Sequence, residues 1–83
     1  MDFPIWWEWE LELTPHIEKR MYQRGITEKD LRRMLSTVSD IRPDRVVGRW
    51  IADTRPAGKD WHIIIEPDNS DKRLVLITAY PQE

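Results

Sequence analysis

From Ile5 to Leu13 the chain alternates apolar and polar positions: Ile5, Trp7, Trp9, Leu11 and Leu13 face one way, and Trp6, Glu8, Glu10 and Glu12 the other. Period two sustained over this run predicts a strand with one buried and one acidic face. The pattern then turns helical. Thr14 reads as an N-cap and Pro15 as the first helical residue, where proline loses an amide that had no partner anyway. The helix runs to Gly25, which accepts the positive φ of a C-terminal stop. Thr27, with Asp30 three residues on, opens a second helix whose apolar face is Leu31, Met34, Leu35 and Val38, with Arg32 and Arg33 outside.

Ser39 to Asp44 reads as a connector in which Pro43 stops helix continuation. Period two returns from Arg45 to Ala52, followed by the turn-rich Asp53–Gly58. Trp61 to Glu66 is a third strand, Pro67–Asp71 a turn, and Leu74 to Tyr80 the most apolar strand, expected at the centre of the sheet. The order β-α-α-β-β-β predicts one α+β domain over 1–83, with two helices packed on a four-stranded, mainly antiparallel sheet. There is no internal repeat, low-complexity tract or linker.

A chain of 83 residues buries a small core, so a partner or a homodimer would add needed surface. The net charge of −2 argues against a strongly basic nucleic-acid coat. The charges are unevenly placed, with acids in the first strand and the loops, and arginines on the helices and the second strand. Absence of cysteine excludes disulfides and thiolate metal sites. No apolar run is long enough to span a bilayer, and Met1–Pro4 lacks the basic start of a signal peptide, so a cytoplasmic protein is expected. Asp68–Asp71 is a turn rather than a calcium loop, and the two histidines have no third partner at metal spacing. There is no Gly-rich phosphate loop and no GxSxG elbow. No metal or cofactor is expected.

The first helix carries the chemistry. Four-residue steps drift by only about 40°, so His16, Arg20 and Arg24 share a narrow stripe. RNA is cleaved without metal when the 2′-hydroxyl attacks the adjacent phosphorus, which requires a base, an acid and cations. His16 suits the proton transfers, and the forked donors of Arg20 and Arg24 suit phosphate oxygens. Thr78 and Tyr80, two apart on the last strand, share a face and add hydroxyl donors; Arg49, opposite in face to Trp50, adds a cation. Each has a plainer alternative. His16 holds a carbonyl or a carboxylate; Arg20 and Arg24 pair with Glu18, Glu28 or the strand glutamates; and Arg49 makes a cross-strand pair with Glu8, Glu10 or Glu12. Thr78 is then an ordinary strand residue and Tyr80 a rim aromatic. His62, between Trp61 and Ile63, reads as a satisfied sheet residue. Trp7, Trp9 and at least one of Trp50 and Trp61 are assigned to the core, while Trp6, on the glutamate face, is expected to be exposed and to contact another chain.

Trp9-Glu10-Leu11-Glu12-Leu13-Thr14-Pro15-His16, the Arg20…Arg24-Gly25-Ile26-Thr27 junction, Gly48-Arg49-Trp50, Ile65-Glu66-Pro67-Asp68 and Thr78-Ala79-Tyr80-Pro81 occur in an order that resembles a family of small bacterial domains of unknown function, DUF4258. That family looks related to RelE-like, BrnT-like and colicin-type metal-independent ribonucleases. The resemblance covers nearly the whole chain and implies a ribonuclease-toxin-like fold. The family pattern does not ask for histidine at His62, so no role is carried onto it. Two expectations follow. The first is a metal-independent endoribonuclease of the toxin–antitoxin type, using His16, Arg20, Arg24 and Tyr80 for catalysis and Arg49 and Thr78 for substrate binding. It would act on RNA, free or on the ribosome, and be held in check by an antitoxin. The second is a non-catalytic, protein-binding adaptor that keeps the fold.

Overall fold

A computed structural model describes residues 3–82. After a 3-10 turn at Ile5–Glu8 come β1 (Glu10–Leu13), α1 (Pro15–Arg24), α2 (Glu28–Leu35), β2 (Asp40–Pro43) and β3 (Trp50–Thr54). A second 3-10 turn at Pro56–Gly58 precedes β4 (Trp61–Asp68) and β5 (Arg73–Pro81). The strands form one sheet in the order β1-β5-β4-β3-β2. β1 runs parallel to β5, and every other neighbouring pair is antiparallel. The sheet is therefore mixed and five-stranded rather than four-stranded, and β4, not the last strand, lies in the middle.

Three differences from the sequence pattern have local causes. Ile5–Glu8 is not strand: Trp7 and Trp9 donate backbone bonds to the carbonyls of Pro4 and Trp6. A period near three replaces the period of two, so Ile5 is 84% exposed while Trp6 turns inward, 5.6 Å from the ring of Trp50. Trp6 thus joins Trp7, Trp9, Trp50 and Trp61 against the core instead of standing exposed. The Ser39–Asp44 connector contains the edge strand β2, whose terminal Pro43 is tolerated because an edge leaves amides unpaired. Arg45–Arg49 is a hairpin loop closed by Asp44 N–H donating to Arg49 O at 2.9 Å, with Gly48 at φ +89°. The strand expected from Arg45 begins only at Trp50.

Ile17 and Met21 of α1 and Leu31, Met34 and Leu35 of α2 pack on Ala52, Ile63, Ile65, Leu74, Leu76 and Ala79. Both helices therefore cover one face of the sheet. On β4 the alternate residues His62, Ile64 and Glu66 point to the other face, over which no helix lies among the described residues.

The capping pattern at Thr27 forms as the sequence suggests. Thr27 Oγ1 accepts from the Asp30 amide at 3.1 Å and Asp30 Oδ2 accepts from the Thr27 amide at 3.0 Å. The amide of Thr27 first, then its hydroxyl, with Arg33 and Lys29 assisting, hold the Asp30 carboxyl below its ordinary 3.8. Folding thus favours the ionised form: the support is complete above the ordinary aspartate value and is lost as pH falls through the lowered folded one. Thr27→Ala is expected to cost about 1 kcal/mol in urea unfolding at neutral pH. Asp30→Asn is expected to remove this box's share of the stability lost on acidification below about pH 4.

Candidate functional site

Two groups of side chains invite chemistry, on opposite faces of the sheet. The first is the α1 stripe. Thr14 Oγ1 accepts from the Ile17 amide at 3.2 Å and lies 3.0 and 3.1 Å from the carbonyl oxygens of Leu76 and Ile77, to which it donates. That tie seats the start of α1 on β5. With Ile17 and Met21 turned into the core, His16, Lys19, Arg20 and Gln23 line a shallow hollow on the outer side of the helix. Among the described residues, His16, Lys19, Arg20 and Arg24 form no ion pair. The expected alternative, pairing of Arg20 and Arg24 with Glu18, Glu28 or the strand glutamates, does not occur. The Arg24 guanidinium instead sits 5.6 Å from the centroid of Trp61.

The second group lies on the uncovered face. Pairing sets Asp40 opposite Asp53, Asp53 opposite His62, and His62 opposite Tyr80, a row across four strands. Arg42, two residues along β2, reaches diagonally into it. Its Nη1 contacts Asp53 Oδ2 closely and lies 3.8 Å from Asp40, and its Nη2 is 3.5 Å from His62 Nε2. His62 Nε2 stands 2.7 Å from Asp53 Oδ1, and the edge of one ring meets the face of the other between His62 and Tyr80, with centroids 5.7 Å apart. Despite that short approach, Asp53 Oδ1 is a buried carboxylate oxygen without a hydrogen bond. Arg42, Asp53, Asp60, Trp61 and His62 line a hollow of about 400 Å³ beside the row.

The six residues expected to form one site are thus divided. His16, Arg20 and Arg24 belong to the helix side. Thr78 and Tyr80 lie on the uncovered face, opposite Ile64 and His62. Arg49 sits in the loop just before β3 and donates through Nε to Glu66 Oε1 at 3.0 Å, not to the β1 glutamates. Tyr80 packs against His62, to which the sequence pattern assigns no role, and the row is completed by Arg42 and Asp53, which that pattern does not single out. Trp61 links the two sides. It carries Arg24 over its ring and lines the hollow next to His62.

Fold and site together define a small α+β domain, with helices on one face of a mixed five-stranded sheet and an Arg–Asp–His–Tyr row on the other. No curated protein and no solved structure matches the chain significantly. The chain belongs to the DUF4258 family, described as a domain of unknown function, whose profile matches residues 13–81.

Proposed function

We propose that this chain is a metal-independent ribonuclease whose cleavage centre is the Arg42–Asp53–His62–Tyr80 row, with the α1 stripe as the approach for the polynucleotide. The observation that carries it is an imidazole and a guanidinium side by side on one open hollow, with the Tyr80 ring packed edge-on against that imidazole. With Nε2 engaged by Asp53, Nδ1 of His62 is left to take the proton of the 2′-hydroxyl. As the P–O2′ bond forms, the P–O5′ bond breaks, leaving a 2′,3′-cyclic phosphate; the Tyr80 hydroxyl supplies the proton for the 5′-oxygen. Arg42 faces the charge that develops on the non-bridging oxygens.

The row alone has no surplus positive charge, because Asp40 and Asp53 already share Arg42. Attraction for a polyanion falls to Lys19, Arg20 and Arg24, which form no ion pair among the described residues. Lys19→Gln with Arg20→Gln is expected to flatten the salt dependence of binding to a single-stranded oligoribonucleotide by a slope of about 1.4, at about 0.7 per cation. In this reading the chain is the toxin of a RelE/BrnT-like pair, acting on RNA, free or ribosome-bound, with an antitoxin as partner. That part rests on the likeness of the motif order to RelE- and BrnT-like toxins alone, since the DUF4258 match assigns no activity.

The test is incubation with an oligoribonucleotide in excess EDTA, beside the same oligonucleotide carrying one 2′-deoxy position. Cleavage ending in a cyclic phosphate and blocked at the deoxy site supports the proposal. Intact RNA, free and on ribosomes, with folded protein selects the second reading, a protein-binding adaptor. The acidity of Asp53 and Asp60 in the hollow, with Asp40 beside Arg42, favours that one.

A further inference from the structure

The sheet has two edges, and they are not alike. β2 ends in Pro43, which has no amide to offer, and its Asp40 and Arg42 are engaged with each other and with Asp53. β1, Glu10–Leu13, contains no proline, and its register with β5 has no bulge. Unprotected edges are templates for another strand. Among the described residues, β1 is guarded by its shortness and its charge. Glu10 and Glu12 point to the uncovered face; Glu12 has no ion pair among the described residues, and Glu10 has only a 3.6 Å contact with Arg73. On the other face, Trp7, Trp9, Leu11, Leu35 and Leu74 line an open groove of about 300 Å³ beside the strand, its wall completed by Glu8, Ser36 and Arg32, the last paired with Glu28.

We infer that the β1 edge is a docking site for an extended segment of another protein in which basic and apolar residues alternate. The alternation is dictated by the pleat. An added strand places every second side chain beside Glu10 and Glu12, and the intervening ones beside Leu11 and the Trp-lined groove. Cross-strand pairing of opposite charge is favourable, and like charge is not. A second copy of this chain is the wrong occupant, because it sets glutamates against glutamates. Four residues give few ladder bonds, so the groove and the charges must supply most of the affinity. This site is on the opposite edge of the sheet from β2 and Arg42, and it does not depend on the chain being a ribonuclease.

The probe is a capped six-residue peptide alternating lysine and valine, with a glutamate–valine peptide as control. Binding of the first is read as slowed amide hydrogen exchange within Glu10–Leu13 and a change in tryptophan emission, both weakening with salt. Glu10→Lys with Glu12→Lys is expected to lower the affinity at least about tenfold and to transfer binding to the glutamate–valine peptide. The neutral pair Glu10→Gln with Glu12→Gln, a gentler change at the Arg73 contact, is expected to weaken binding without reversing preference. No protection at β1, equal protection by both peptides, or affinity unmoved by either pair of substitutions overturns the inference. Concentration-dependent protection of these amides without peptide assigns the edge to a second copy and overturns it as well.

Discussion

Replacing His62 with alanine is expected to slow RNA cleavage by about 10²–10⁴-fold, the usual contribution of a positioned acid–base group, with the fold intact. The side chain is 19% exposed on the uncovered face and lies outside the core. Its loss leaves Asp53 paired with Arg42, so no carboxylate is stranded. His16→Ala is the informative contrast: it lies on the opposite side of the sheet, and its removal is expected to weaken RNA binding while leaving the single-turnover rate at saturation unchanged. In the proposed mechanism Asp53 acts through His62, as a positioning residue. Asp53→Asn is expected to lower the rate and to move the pH–rate profile, a signature that mere loosening of the sheet does not produce. The assignment fails if His16→Ala abolishes cleavage while His62→Ala spares it, for then the centre lies on α1.

The largest effect on stability is expected from Ile63→Ala. Ile63 is fully buried in the middle strand, and its two cross-strand neighbours, Ala52 and Ala79, are both alanine. Neither has atoms to move into the vacated space, so the cavity persists and the cost sits at the upper end of about 2–5 kcal/mol. A domain of this length is held by about 4–12 kcal/mol in total. The variant should therefore unfold at much lower urea concentration, while Ile63→Val, losing one methyl, should cost about 1 kcal/mol. Ile64→Ala, on the uncovered face, is expected to cost less than Ile63→Ala, since solvent reaches that side more readily.

Both helices were legible from sequence because their signals are local: Thr14 with Pro15, Gly25, and the Thr27–Asp30 box each act within one turn. Trp7 and Trp9 pack against the core as their pattern predicts, but Trp6 does not stand exposed, because the 3-10 turn after Pro4 changes the period and brings it inward. Arg42 was hidden in a strand too short to show alternation. The His62–Tyr80 contact was hidden by a bulge. Counted back from the turn, where Asp68 faces Arg73, strict pairing sets His62 opposite Ala79; the register shift between Ile64 and Ile65 sets it opposite Tyr80 instead. One extra residue in β5 thus decides which side chain meets the imidazole, and bulges leave little trace in a pattern of apolar positions. What sequence did supply of the site was its raw material on α1 and the Tyr80 end of the row.

The parallel pairing of β1 with β5 has a mechanical consequence. Glu10 to Leu13 run alongside Arg73 to Leu76 in the same direction, so tension between the two ends of the described chain pulls these neighbours past each other lengthwise. The ladder bonds between them are then strained together rather than one after another. An antiparallel hairpin pulled from its open end would unzip bond by bond. Stretched from its ends, this small domain is expected to resist up to a sharp threshold and then give way at once. A tether attached within the β4–β5 turn should peel it open at lower force.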